Sequence, residues 1–306
     1  MKSKQLSFCI AILFVLAINA IQVFSQVADS KIISVKGNDI YNNTIMACKS
    51  LGLDIMVKPG MTVGILVNSD FEIKGAYVNP DITLAVVKMI VDAGAKEVVA
   101  LQHIKQEYWE RSSLYGEHRD ALKKLRSIEQ NNFPSVYDSL VFVRMDSFPG
   151  AANLKNLEVV KEVFDVDLFI NIPIAKHHAT TILTNAMKNL MGLNTRSFSV
   201  TFHLNGPKRN DPDFLATCIT EMGLIRRPNL IISDVTEVIV TNGPNGPGEM
   251  VKPMAVVASN DPVAIDAYCA GLIGFEPERV LTIGKAYNLG LGEMDLKKVK
   301  IEEIVQ

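Results

Sequence analysis

The chain has 306 residues, of which 48% are hydrophobic and 21% charged, with a formal net charge of −2. That hydrophobic fraction supplies a substantial core and excludes a disordered chain. The near-neutral balance, without a block of like charge, argues against a nucleic-acid surface, and the length accommodates one large α/β domain or two closely joined lobes.

The amino terminus reads as a secretory signal peptide over residues 1–25. Lys2 and Lys4 form a short basic region, an apolar run extends from Leu6 to Ile18, and Val23 and Ser25 sit at −3 and −1 of a cut before Gln26. An uncleaved membrane anchor is the alternative, but Asn19 and Gln22 interrupt the run. The expectation is therefore a periplasmic or secreted protein, residues 26–306, with no membrane span after cleavage. Cleavage removes Cys9 and leaves Cys48, Cys218 and Cys269, an odd, widely spaced set that does not form a disulfide framework.

Strand and helix patterns then alternate, which predicts a mostly parallel sheet flanked by helices. Thr62 to Val67 is a buried strand, Asn79-Pro80-Asp81 opens a helix over Ile82 to Ala93, Gly94 ends it, and Glu97 to Leu101 returns as a strand. Residues Gln102 to Ser135 are more polar and read as a helical excursion, a lid or an edge insertion, carrying Tyr108, Trp109 and Tyr115. Leu140 to Val143 is a short strand, Leu157 to Phe164 a helix and Leu168 to Ile172 an apolar strand. Asn229 to Ser233 and Met254 to Ser259 are further buried strands. Asp261-Pro262 caps a helix running to Gly274, Leu281 to Tyr287 is another helix, and Lys298 to Ile301 closes the chain as a strand.

The most informative stretch is Asn171 to Gly192. Lys176, His177 and His178 follow the end of a buried strand, where ligands bind in open α/β sheets. A helix starting near Thr180 would place Thr181, Thr184, Asn185 and Lys188 on one face. Its free N–H groups, with Lys176 and Lys188 nearby, would suit a carboxylate or phosphate. Neutral imidazoles at His177 or His178, joined in space by His203, are the candidate metal ligands. The plainer alternative is a solvated helix face with surface histidines.

Two further segments carry candidates. Asp234 follows a buried strand and leads into a Gly-Pro loop, Asn242 to Gly248, that allows close backbone approach to a ligand; with Glu237 it is a candidate for acid/base or metal chemistry, or for loop hydrogen bonding. Asp266 is a carboxylate in an otherwise apolar helix, to be read first as a structural group paired with a lysine or with backbone donors. No Gly-x-Ser-x-Gly, His-Glu-x-x-His or Cys-x-x-Cys is present, which disfavours the familiar hydrolases and zinc proteases.

Pro173 to Leu193, Pro228 to Gly248 and Ala258 to Pro277 together resemble the uncharacterised family called domain of unknown function 362, over about Lys58 to Glu303. The family's Lys-Thr-His segment is similar to Lys176-His177-His178, its Thr and Lys-Asn positions match Thr181, Thr184, Lys188 and Asn189, and its Asp-Pro-Val-Ala-x-Asp matches Asp261 to Asp266. The resemblance favours His178 over His177, since the usual histidine falls there. It implies no settled activity and no defined cofactor. Some relatives carry an iron–sulfur region, for which this chain has no clustered cysteines. The relatives' Lys-Pro-Asn appears here as Leu66-Val67-Asn68, with the lysine lost.

Three functional readings follow. The first is an enzyme on a small anionic molecule, with Lys176 and Lys188 holding the anion, His178 transferring a proton and Asp234 or Asp266 orienting it. The second is a non-catalytic envelope module holding a metal or cofactor through His177, His178, His203 and Asp234. The third is a structural envelope protein with a degenerate site.

Overall fold

A computed structural model describes residues 30–128 and 137–306. The proposed signal segment and the end of the polar excursion lie outside these residues. Eight strands form the main sheet: β1 (Lys31–Lys36), β2 (Thr62–Val67), β3 (Glu97–Ala100), β4 (Leu125–Ser127), β5 (Leu168–Ile172), β6 (Leu230–Val235), β7 (Ala255–Ser259) and β8 (Lys300–Val305). Their order across the sheet is β8-β1-β7-β6-β5-β2-β3-β4. Only β7 runs against its neighbours, pairing antiparallel with β1 and β6, so the sheet is mostly parallel and the fold is α/β.

Every residue of β5, β6 and β7 is buried, as expected of strands covered on both faces. One helix group comprises α1 (Ile40–Ser50) and α2 (Pro80–Asp92), which pack on each other. The second group comprises α3 (Ala186–Asn189), α4 (Arg196–Leu204), α5 (Pro212–Met222), α6 (Pro262–Leu272) and α7 (Leu281–Asn288). The caps follow the sequence: Asn79 accepts from Asp81 N with Pro80 at the first position, and Asp261 accepts from Val263 N and Ala264 N. Gly94, after α2, has φ +88°, a conformation that glycine adopts without strain. Buried apolar side chains form one connected cluster through the sheet and both helix groups.

Several elements differ from the expectation. Leu157–Val160 is a strand, not the start of a helix; it pairs antiparallel with Phe142–Met145, and only Glu162–Asp165 turns helical. Two valines and a partner strand decide this, because β-branched residues fit a pleated surface better than a helix. The closing strand is shifted and extended to Lys300–Val305, and it lies on the sheet edge beside β1. β1 and α1 are further elements beyond those expected, although KIISVK is rich in β-branched residues and Asp39 caps α1. Within the polar excursion, Tyr108 and Trp109 are buried; the Tyr108 hydroxyl lies 2.6 Å from Thr83 Oγ1 on α2, and β4 extends the sheet edge. This part of the excursion is an edge insertion packed onto the core. Cys48, Cys218 and Cys269 are all buried and free.

The connection order makes one place special. From β2 the chain adds β3 and β4 on one side, then returns to place β5 on the other side of β2. The crevice beyond the carboxyl ends of β2 and β5 is therefore a topological switch point, where ligands bind in open α/β sheets.

Candidate functional site

The segment after β5 does not form the expected helix. Lys176–His178 pairs antiparallel with Ile182–Thr184 as a small hairpin, and helical structure begins only at α3. Ile182 has φ +66°, incompatible with a continuous α-helix, and the run Thr180-Thr181-Ile182 is β-branched throughout. The predicted stripe therefore splits. Thr184, Lys188 and Asn189 line a cavity of about 290 Å³ at the switch point, whereas Thr181 and Asn185 do not. Thr181 Oγ1 donates to Leu183 O, and Asn185 Oδ1 accepts from Ser233 Oγ at 2.6 Å.

The hairpin period of two sends Lys176 and His178 to one face and His177 to the other. Lys176 is fully buried. Its ammonium donates to Ala76 O and to Pro244 O (2.9 Å) and lies 3.4 Å from the Phe71 ring centre. No carboxylate pairs with it among the described residues. Burial first, then the charge of Lys188, hold its pKa well below the ordinary lysine range.

His178 is 4% exposed, and its Nδ1 accepts from Thr180 N and Thr181 N, both at 3.2 Å. An acceptor Nδ1 puts the proton of the neutral ring on Nε2. Burial, reinforced by Lys188, His203, Lys176 and His177, pushes its pKa down to about 2. The imidazole is thus a neutral hydrogen-bond donor. His177 turns away: its Nδ1 accepts from Gly243 N at 3.0 Å and its ring meets Phe275 edge-on. The Gly-Pro loop approaches so closely that a Cβ on Gly243 would lie 1.8 Å from His177 O. This glycine is what lets Pro244 O reach Lys176.

Lys188 is partly buried, and its nitrogen contacts Met191 Sδ at 3.5 Å, with no carboxylate partner among the described residues. Burial lowers its pKa to about 8. His203 on α4 faces His178 with ring centres 5.8 Å apart, and its pKa is lowered by burial and by Lys188. The expected metal set does not assemble, because His177 points elsewhere and the Asp234 carboxylate lines a different cavity. No group of three His, Cys, Asp or Glu side chains among the described residues is placed to hold a metal ion.

Asp234 lines a different cavity, of about 310 Å³, with Asn79, Asp81, Arg111 and Glu237. Its carboxylate accepts from Asn79 N, Thr236 N and Thr236 Oγ1, and burial raises its pKa. It ties β6 to the start of α2 and does not orient His178. Asp266 is 1% exposed and accepts from Ala186 N (2.7 Å) and Met187 N (3.2 Å). The start of α3 is therefore occupied by the protein's own carboxylate rather than open to an anion. Burial nevertheless raises the Asp266 pKa to about 7.

An asparagine ladder fixes α3 over the switch point. Asn68 Nδ2 donates to Asn189 Oδ1, Asn189 Nδ2 to Asn171 Oδ1 and Leu66 O, and Asn171 Nδ2 to Ala186 O. Asn68, which matches the asparagine of the relatives' Lys-Pro-Asn, is a lining residue, whereas Leu66, at the position of the lost lysine, is fully buried. Asp70, Gln102, Arg196 and Ser199 also line the cavity and carried no sequence signal beyond the ends of β2 and β3. Asp70 is the one carboxylate among the described lining residues, and Arg196 (3.1 Å) and Lys105 (3.0 Å) neutralise it. Three buried oxygens on lining residues, Asn68 Oδ1, Thr184 Oγ1 and Asn194 Oδ1, have no hydrogen-bond partner among the described residues. The cavity thus combines cationic nitrogens, a neutral N–H donor and unused polar atoms.

Among known proteins, the chain is 23% identical over 251 residues to a thylakoid-associated protein of Synechocystis sp., covering 78% of this chain and 71% of that one. It is similar to the lactate racemase apoprotein of Thermoanaerobacterium thermosaccharolyticum, with a TM-score of 0.46, 11% identity and 85% of this chain covered. It is also similar to a solved protein of Thermotoga maritima, with a TM-score of 0.41, 15% identity and 65% covered. The chain spans 57% and 51% of those two structures' own lengths. The family described as domain of unknown function (DUF362) matches residues 55–271, more than half of the chain, and the protein belongs to that family.

Proposed function

We propose that the switch-point cavity binds a small anionic molecule. The observation that carries this reading is the pair Lys176 and Lys188, which face one cavity with no carboxylate partner among the described residues. A buried cation without a counter-charge is costly, and an anionic ligand removes that cost on binding. Arg196 at the rim, the His178 Nε2–H and the Thr184 hydroxyl supply further donors. His178, being neutral with Nδ1 already engaged, donates a hydrogen bond to the ligand rather than taking up a proton. The volume, near the lower end of the roughly 300–1,000 Å³ of ligand sites, suits a compact acid.

The test is a thermal-shift titration with phosphate and oxalate at constant ionic strength. Wild type should rise in Tm with at least one of them, because a ligand that binds only the native state stabilises it. Lys188→Met should lose the shift. An unchanged shift in Lys188→Met sinks the site assignment. We further propose export of residues 26–306; intact mass of the protein recovered from its native host, beginning at Gln26 or retaining residues 1–25, decides this.

A further inference from the structure

We propose that Lys188 captures the carbonyl group of a small carbonyl-bearing acid, such as a 2-oxo acid, as a covalent imine. The inference rests on the anion-binding reading above and adds a nucleophile to it.

The two cavity lysines are not equivalent. Lys176 is wholly enclosed, with its ammonium held by Ala76 O, Pro244 O and the Phe71 ring. It can supply a positive field but cannot reach a reacting carbon. Lys188 is partly buried and opens on the same cavity, and its nitrogen has neither a carboxylate nor an acceptor oxygen among the described residues, only the Met191 sulfur at 3.5 Å. A desolvated lysine beside a second cation is the arrangement that activates an amine for attack on a carbonyl. The charged and titratable groups sharing this cavity are Lys176, His178, His203, Arg196 and Asp70. Apart from Asp70, which is already paired with Arg196 and Lys105, none is anionic. Burial alone places the Lys188 pKa near 8, so a useful fraction of the amine is neutral at pH 7.5.

The remaining groups suit the other end of the reaction. Among the described residues, the neutral His178 has Nε2–H free to donate to a carbonyl oxygen, and the Thr184 hydroxyl is buried without a partner. Lys176 and Arg196 are the counter-charges for the ligand's carboxylate. The step balances without a redox partner. The neutral Lys188 nitrogen forms a bond to the carbonyl carbon while the π pair moves to oxygen, which takes a proton. The oxygen then takes a second proton and leaves as water as the C=N bond forms. Counted from the lysine ammonium, the products are one iminium and one water.

The experiment incubates the full-length protein with glyoxylate or pyruvate at pH 7.5, reduces with borohydride and maps the modified lysines by peptide mass. Wild type should be labelled at Lys188 more than tenfold faster than at exposed lysines such as Lys58, and oxalate should protect it. Lys188→Arg should lose the label while remaining folded by circular dichroism. Labelling at Lys188 no faster than at exposed lysines overturns the proposal; if oxalate still raises the wild-type Tm, the anion site survives that failure. No label and no Tm shift overturns both.

Discussion

His178 offers the sharpest test of the site as it stands. Its Nδ1 accepts two backbone N–H bonds and its pKa is pushed from the ordinary histidine value down to about 2. The sign follows from linkage. Between pH 6.5 and 2 the unfolded chain binds a proton at this position and the folded chain does not. The stability associated with a neutral His178 is therefore fully present above pH 6.5 and is lost progressively as pH falls below it. At about 1.4 kcal/mol per pH unit, the loss between pH 7 and pH 5 is about 2 kcal/mol, an order-of-magnitude figure for a side chain this buried. The perturbation is His178→Asn. The asparagine Oδ1 sits close to the place of Nδ1 and can accept from Thr180 N and Thr181 N, but it does not titrate. Asp266 acts in the opposite direction, since its raised pKa makes the native state lose stability as pH rises from about 4 to 7. Total stability against pH is therefore uninformative, and the difference between wild type and variant is the quantity to measure. Urea unfolding at pH 7, 6 and 5 should show wild type losing about 2 kcal/mol relative to His178→Asn. Parallel pH dependences would refute the buried, neutral imidazole and, with it, the Nε2–H donor in the proposed site.

Other outcomes follow from the same geometry. Lys176→Met should abolish the oxalate-induced Tm shift while leaving the apo protein folded, because an apolar side chain of similar volume removes a buried, unpaired charge; circular dichroism with the shift assay reads both. Gly243→Ala should destabilise by roughly 2–3 kcal/mol in urea unfolding, since its Cβ meets the backbone oxygen of His177, which cannot move as a flexible side-chain end would. Asp266→Ala should cost roughly 2–4 kcal/mol by leaving Ala186 N and Met187 N without their acceptor, and should loosen α3, seen as faster amide exchange there. His177→Ala should leave the oxalate shift in place, because that ring faces Phe275 rather than the cavity.

Much of the frame is local and was legible in the residues. The apolar runs at Thr62–Val67, Leu168–Ile172 and Ala255–Ser259 announce buried strands, and Asn79-Pro80 and Asp261-Pro262 announce helix starts, because periodicity and capping act over a few residues. The place of Lys176 and His178, at the carboxyl end of a buried strand, could be read for the same reason. What the residues alone could not decide were the contacts across the chain. Whether Thr180 to Thr184 became helix or hairpin depended on the left-handed Ile182 and on the Gly243 loop docking from beyond β6. That docking separates His177 from His178 and dissolves the expected metal set. Asp234 and Asp266 look alike as isolated carboxylates. Only the fold places one under α2 and the other under α3, each held by backbone N–H groups far away in sequence. That Lys176 and Lys188 have no counter-charge among the described residues is likewise a tertiary fact, because a lysine's partners are set by whichever distant strands and loops meet it, and the sheet order brings carbonyls and an aromatic ring to Lys176 instead of a carboxylate.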